Sequence, residues 1–450
     1  MEQSKEYYKN QFYSMVNPEQ RASYYKRYIN SEVVNLSTAE NLLLLKFYQE
    51  KAFKDLGQIE AKELRYPPVV YGSPEYMESI AQFLAHQWGA SVNPENIFAV
   101  SGVSAGLECL AFSLFNEGDE VLIPAPMWYG FVWPFTQRPK LKFIPFQVSD
   151  DFTLTKADVE RAVDENPNAK LLVLTNPNNP LGVNYSRELL SEIYEFFLAD
   201  ETRHIISDEI YANSQVENKD DFVSALNLDI YQNPEYNERI HVVWGLSKDF
   251  GLSGFRVGFI VSTSAKVHHF LKGDNCYKSM SWFSPFGSLN PYMLKNLFLN
   301  QDETPNPDLA NEAMLVYKQL LKEQYRQTAD ALTDGNIKFH NANKGALFFW
   351  IDLRPYLKYA PESVSNQERL CPSIYEHDSD SERWLTEYIR DKANVLLVRG
   401  QECFSIEPGY FRLCYTSEEI SIVVHGIQEM IKALEELPSL SKRALQASSV

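Results

Sequence analysis

The sequence predicts an α/β protein: a three-layer α/β/α large domain built on a mostly parallel seven-stranded sheet, with a smaller α+β domain. Two observations predict it. Between residues 97 and 261, apolar runs of strand length recur, and several are separated by stretches of helical length and pattern, as expected for buried strands joined by crossover helices. In the last 140 or so residues the order changes to long helix, strand, helix, strand and closing helix, which suits a separate α+β unit.

The elements follow in order. Residues 1–65 are assigned to an N-terminal arm and part of the small domain, 66–305 to the large domain, 306–437 to the small domain and 438–450 to a tail. The strands are expected at Ile97 to Val100, Val121 to Ile123, Leu141 to Ile144, Leu171 to Leu174, His204 to Ser207, Ile240 to Leu246 and Phe255 to Val261. Helices are expected over 104–115, 155–165 and 186–199, then over Asn311 to Leu332 and near Glu418 to Leu437. Strands are read at 345–353 and 410–416, and 381–398 as a helix followed by a strand. Tyr359 to Ser381 is polar and proline-containing, as in a surface insertion, and the chain after Pro438 reads as a frayed tail.

Composition excludes several functions. A 450-residue chain that is 44% hydrophobic can bury two cores. Its 60 acidic and 42 basic residues give a net charge of -18, and its pI is about 5.0, which disfavours a nucleic-acid partner. The opening MEQSKEYYKN has no apolar signal core and no long uninterrupted apolar run follows, so a cytoplasmic protein without a membrane partner is expected. The five cysteines, Cys109, Cys276, Cys371, Cys403 and Cys414, are scattered without a CxxC pair, and there is no HExxH, so reduced thiols and no metal site are expected.

The functional signal begins at "HVVWGLSKDFGLSGFRVGFI" (241–260), where an apolar strand leads to Lys248 and a glycine-bearing loop leads to Arg256. "SGVSAGLE" (101–108) opens a helix after a strand, so amides near Ser104 and Ala105 are available to an anion. "TNPNNPLG" (175–182) is a rigid turn that would aim Asn178 or Asn179 outward. "ISDEIYANS" (206–214) leaves Asp208 at a strand end with Tyr211 three residues on, and "PAPMWYGF" (124–131) sets Trp128 after a proline turn. Taken singly, each is more simply a cap, a turn or a core residue. In an open α/β sheet the ligand lies beyond the carboxyl ends of the strands, where these loops converge. Together they meet the needs of one ligand, a phosphorylated pyridine aldehyde. It needs a lysine for a covalent link, an aspartate against its ring nitrogen, donors to its phenolic oxygen, an aromatic face and an anion cradle.

At these residues the chain resembles the fold type I pyridoxal phosphate enzymes of the aspartate aminotransferase superfamily. "AEN" (39–41), "NPNNPLG", "SDEIYA", "LSKDFGLSGFRVG", "GALFFWIDLR" and "EPGYFRLCY" are most similar to the 1-aminocyclopropane-1-carboxylate synthase-like branch, over about residues 35 to 435. The resemblance implies pyridoxal 5'-phosphate as cofactor, held covalently by Lys248, which later shuttles the Cα proton. Asp208 would pair with the ring nitrogen, Tyr211 and Asn179 would donate to the phenolic oxygen, and Trp128 would stack on the ring. Ser104, Ala105, Ser247 and Arg256 would hold the phosphate. Arg412 in "YFRLC" would clamp the α-carboxylate of an amino acid substrate, with Asn179 also beside the substrate. A homodimer with composite active sites is implied as well, supported by the aromatic stretch Tyr7, Tyr8, Phe12, Tyr13 and by "FSPFGSLN" (283–290).

Three departures from the family pattern bear on the reaction. Gly245 stands where many relatives carry a phosphate-binding serine, Leu42 replaces a polar residue near the substrate, and "YPPVVYGSPEY" leaves open whether Tyr66 or Tyr71 reaches a neighbouring subunit. The expected activity is transamination. Synthase-like α,γ-elimination on S-adenosylmethionine, C–S lysis and a catalytically silent cofactor-binding protein are the alternatives.

Overall fold

The structure is a computed structural model that describes residues 33–54, 69, 71–217, 222–272, 289–340, 345–361 and 379–447. Tyr7, Tyr8, Phe12, Tyr13, Tyr66, Cys276, Cys371, residues 283–288 and most of the expected insertion lie outside the described residues. The chain divides into two compact units, Glu40–Glu323 with Ala342–Leu347, and Met1–Ala39 with Gln324–Asn341 and Phe348–Val450.

The strands in chain order begin with β1 (Val34–Asn35), which belongs to the second unit. The first unit holds β2 (Ile97–Val100), β3 (Glu120–Ala125), β4 (Lys142–Gln147), β5 (Ala169–Thr175), β6 (His204–Asp208), β7 (Ile240–Gly245) and β8 (Gly258–Val261). These form one seven-stranded sheet in the order β2-β8-β7-β6-β5-β3-β4. Neighbours from β7 through β4 pair in parallel, while β8 runs antiparallel to both β7 and β2. Every residue of β2, β6, β7 and β8 is buried, which explains why these strands read as apolar runs rather than as alternating patterns.

The crossover helices start where their sequences supply caps. Thr155 and Asp158 form a reciprocal capping box ahead of Lys156–Glu165, and the Ser186 hydroxyl accepts from the Leu189 amide ahead of Arg187–Leu198. β8 starts three residues later than its apolar run, because Ser253–Phe255 forms a 3₁₀ turn and Arg256 adopts a left-handed backbone conformation (φ 53°).

In the second unit, β9 (Lys338–Phe339), β10 (Phe348–Asp352), β12 (Val398–Arg399) and β13 (Tyr410–Cys414) form an antiparallel sheet ordered β12-β13-β10-β9. β11 (Val395–Leu396) pairs in parallel with β1, so the single strand expected after the helix Asp380–Ala393 is split between two sheets. The closing helix Ile420–Ala447 runs through Pro438, where the sequence suggested an end. A proline removes one amide donor, and the helix continues beyond it.

At the amino ends of β6 and β7 lies a buried imidazole pair. His204 Nδ1 and His241 Nε2 are 3.1 Å apart, the rings are stacked, and His241 Nδ1 is 2.9 Å from Ser262 Oγ. Burial, with Lys266 and Arg239 nearby, pushes His204 down to about 4, and burial also drives His241 well below the ordinary range. Between that value and the ordinary 6.5, the unfolded chain binds a proton that folded His204 refuses, so stability falls as the pH drops through this window. Between about pH 7 and about pH 5, His204 alone should therefore take about 2 kcal/mol from the stability, against the opposite contribution of the buried acids Glu209 and Asp249, whose carboxyls burial raises to about 7 and about 6. His204→Gln should remove that contribution, so that its melting temperature falls less, or rises more, than that of the wild type over this window; an unchanged pH slope would contradict the assignment.

Candidate active site

The parallel strands deliver their carboxyl ends to one edge of the sheet. β5 leads into the Asn176 to Gly182 turn, β6 into Asp208 and Tyr211, β7 into Ser247 and Lys248, β3 into Trp128, and β2 into the helix Val103–Leu114. β8 begins at that edge because it runs the other way. The register Val100↔Gly258 consequently brings Arg256 to the start of the Val103 helix. The predicted residues of the first unit thus lie along one edge of the sheet, set there by strand polarity.

Asp208 is 3% exposed, and the Ile210 amide, at 3.2 Å, is its one hydrogen-bond donor among the described residues. Burial pushes its carboxyl up to about 7, opposed by that bond and by the charge of Lys248. Asn176 N–H donates to the Asp208 carbonyl at 3.0 Å, tying the β5 turn to this strand end. Asn179 Nδ2 donates to the Tyr211 hydroxyl at 3.3 Å, so these two polar groups meet. Asn178 behaves differently: its oxygen accepts from the Leu181 amide at 3.1 Å and its nitrogen donates to Tyr185 at 3.3 Å. It holds the turn and is not aimed outward.

The opposite end suits an anion. The Val103 helix has no capping side chain, and among the described residues the amides of Val103 and Ser104 are open to a ligand oxygen, whereas Ala105 N–H already donates to the Gly102 carbonyl at 3.1 Å; Ser104 and Ala105 line a 220 Å³ cleft with Glu108, Gly130 and Trp133. Gly102 is in a positive-φ conformation (82°), and a Cβ there would fall 2.5 Å from Arg256 Nη2, so the guanidinium lies against the helix start. Arg256 is exposed, and its Nη1 donates to the Ser253 carbonyl at 2.9 Å. Trp128 is half-buried over Gly130, with Phe131 edge-on at 5.3 Å. Ser247 is buried. Gly245 has a steric reason: a Cβ would lie 2.7 Å from the Val257 carbonyl oxygen and 2.9 Å from Gly258 Cα, so no serine fits this backbone as it stands.

Arg412 lies in the second unit, on β13. It is buried, its Nη2 donates to the Ser37 carbonyl at 2.7 Å, and its guanidinium covers the Phe348 ring at 4.5 Å. Three carboxylates of the same unit pair with other arginines. Arg354 takes Asp352 at 2.7 Å and Glu407 at 2.6 Å, and Arg399 takes Glu402 at 3.0 Å. Tyr71 is held in the first unit, where its carbonyl accepts from Ala99 at 2.9 Å and Lys272 covers its ring at 5.3 Å.

Several residues around the site were not identified from the sequence. Asp249, next to Lys248, is fully buried and accepts four hydrogen bonds from Asn213, Ser214 and Trp244. Glu209, next to Asp208, accepts from Ser207, Ser224 and the Ala225 amide. Asn41 Nδ2 donates to the Lys248 and Asp249 carbonyls at 2.8 and 3.2 Å. "AEN" was visible as a motif, but a buried acceptor carries no periodicity, so the sequence does not single out Asp249 or Glu209. Among the described residues no group of His, Cys, Asp and Glu could hold a metal ion, and no helix is long and apolar enough to cross a membrane.

Comparison with known proteins adds to this geometry. The family described as aminotransferase class I and II matches residues 31–427. A mouse protein named probable inactive 1-aminocyclopropane-1-carboxylate synthase-like protein 2 is 30% identical over 90% of this chain and 66% of its own length. The Arabidopsis thaliana 1-aminocyclopropane-1-carboxylate synthase 4 is 28% identical over 86% of this chain and 79% of its own. Among solved structures, cystalysin from Treponema denticola, which contains pyridoxal 5'-phosphate, superposes with a TM-score of 0.70 at 17% identity over 92% of this chain and 94% of its own. The Pyrococcus horikoshii aromatic aminotransferase does so with 0.66 at 20% identity, over 90% and 96%. At such identities these two speak for the fold alone.

Gly102→Ala tests the anion end. The new methyl must displace the Arg256 guanidinium and strain a positive-φ backbone, so affinity for a phosphate ester should fall on the order of tenfold, with stability lowered by about 1 kcal/mol. Equal affinities in titrations of the two proteins would remove Arg256 from the cradle.

Proposed function

The chain belongs to the aminotransferase class I and II family, in its 1-aminocyclopropane-1-carboxylate synthase-like branch, and from that membership we propose a pyridoxal phosphate-dependent enzyme acting at the Cα of an L-amino acid. The observation that carries the reading is Asp208: a buried carboxyl at a strand end, within reach of the Lys248 charge, with one donor and a strongly raised pKa. Such a group is suited to a cationic ring nitrogen, which restores its charged form. The donor pair Asn179 and Tyr211 and the Gly102–Arg256 cradle fit the other substituents of the same ring.

When bound, pyridoxal 5'-phosphate supplies an electron sink for the pair left on Cα after deprotonation. The residues do the rest. Asp208 keeps a proton on the ring nitrogen, and Tyr211 and Asn179 donate to the phenolic oxygen. Ser104, Ala105, Ser247 and Arg256 bind the phosphate, and Trp128 covers a ring face. Lys248 anchors the cofactor, and its amine takes the Cα proton and returns it. Arg412 orients the substrate through its α-carboxylate.

Of the reactions open to this machinery we favour transamination, with a 2-oxo acid as amino acceptor. Leu42, 46% exposed, stands where the synthases carry a polar residue beside the substrate. Synthase-like elimination is the second reading, motivated by the names of several relatives 28–30% identical to this chain. C–S lysis is the third, and a silent protein, motivated by the mouse relative's name, is the last.

Product analysis divides them. Incubation with an amino acid panel, a 2-oxo acid and S-adenosylmethionine should yield keto acid and new amino acid, with neither cyclopropane amino acid nor ammonia. Lys248→Ala should abolish turnover while the protein stays folded. Arg412→Lys should lose on the order of 30- to 1000-fold in kcat/KM, about 2 to 4 kcal/mol, mainly through KM. A cyclopropane product would replace transamination by elimination, and a destabilised Arg412→Lys protein with normal kinetics would make Arg412 structural.

A further inference from the structure

The lysine loop is itself a rigid unit. Gly251 N–H donates to the Lys248 carbonyl at 3.1 Å, Leu252 N–H to the Leu246 carbonyl at 3.0 Å, and Asn41 Nδ2 clasps the Lys248 carbonyl from outside. The segment after β6 is a second such unit. There Ile210 N–H bonds the Asp208 carboxylate, Ala212 N–H the Glu209 carbonyl at 3.0 Å, and Ser214 N–H the Tyr211 carbonyl at 2.9 Å. One side chain ties the two together. Asp249 Oδ2 accepts the Asn213 amide at 3.0 Å, Asn213 Nδ2 at 3.0 Å and Trp244 Nε1 at 3.2 Å, and Oδ1 accepts the Ser214 hydroxyl at 2.6 Å.

The donors are fixed in turn. Trp88 Nε1 bonds Asn213 Oδ1 at 3.2 Å, which sets the amide so that its nitrogen faces Asp249. The Tyr317 hydroxyl is 2.8 Å from Ser214 Oγ. With 0% exposure and donors on both oxygens, the carboxylate has one resting place, and neither rigid turn can shift without breaking its bonds.

We propose that Asp249 is a positioning residue that sets the spacing between the Lys248 amine and the Asp208–Tyr211 turn. It rests on the roles of Lys248 and Asp208 given above. Asp249 touches no reacting atom; it acts through the backbone on either side of it. What it requires of its own side chain is an acceptor for three donors at Oδ2 and a partner for Ser214 at Oδ1. An asparagine meets both needs, because its oxygen can take the Oδ2 place and its NH₂ can donate to a Ser214 hydroxyl turned toward Tyr317. An alanine meets neither.

The experiment compares Asp249→Ala and Asp249→Asn with the wild type, each loaded with pyridoxal phosphate. It measures visible absorbance of the bound cofactor against pH, kcat and KM for the amino acid, and melting temperature. Asp249→Ala should shift the absorbance titration and lower kcat on the order of ten- to a hundredfold, with KM within about twofold, since a displacement of about 1 Å can cost that much in rate. Asp249→Asn should recover both the titration and kcat. A folded, loaded Asp249→Ala protein that titrates and turns over like the wild type overturns the proposal, as does an Asn variant no better than Ala. If Asp249→Ala does not fold, Ser214→Ala, which removes one donor, should move the titration in a graded way; no movement overturns the proposal. A wild type that shows no lysine-linked, pH-titrating band overturns the site reading itself, a result that no Asp249 variant can imitate.

Discussion

The site depends on the direction of β8. Six strands of the large sheet run one way, and β8, hydrogen-bonded between β7 and β2, runs against them. The pairing persists one residue past β7, where Leu246 N–H donates to the Val257 carbonyl at 3.0 Å. Residues 247–256 are therefore a closed excursion from the sheet edge, with Lys248 near its departure and Arg256 at its return. Their eight-residue separation spans most of that ten-residue excursion. A parallel β8 would have begun at the opposite edge, leaving the Val103 helix without its guanidinium.

Three buried carboxylates sit in or beside this excursion, and the protein treats them unequally. Glu209 and Asp249 each have three or more donors and serve as internal ties. Burial raises Glu209 to about 7 and Asp249 to about 6, with the donors pulling the other way. Asp208 is equally buried but has one weak backbone donor and the Lys248 charge. Burying a carboxylate so poorly satisfied is costly unless a ligand completes it, whereas its two neighbours need nothing further. This asymmetry sets Asp208 apart from Glu209 and Asp249, and composition does not reveal it.

The sequence made the scaffold legible because each strand is short, apolar and bounded by helix caps or turns. All seven strands of the large sheet occur where the apolar runs lie, and Thr155 and Ser186 mark helix starts they do cap. Strand ends then pointed to Asp208, Lys248 and the Asn176 to Gly182 turn. What stayed hidden was side-chain direction. Asn178 and Asn179 are adjacent and chemically identical, yet one braces the turn and the other reaches Tyr211. Asp249 reads as a solvated loop acid until β7, Trp244 and Asn213 are seen around it, and the split between β11 and β12 depends on pairing partners distant in sequence.

Lys248, at the carboxyl edge of the sheet, is the residue proposed to join the cofactor covalently. Incubating the protein with pyridoxal phosphate, reducing it with borohydride and mapping the peptides by mass spectrometry tests this directly. One phosphopyridoxyl group per chain is expected, on the peptide containing Lys248, with its loss when Asp208 is replaced by a residue that prevents cofactor binding. A stoichiometric label on another lysine, or none under saturating cofactor, would contradict it.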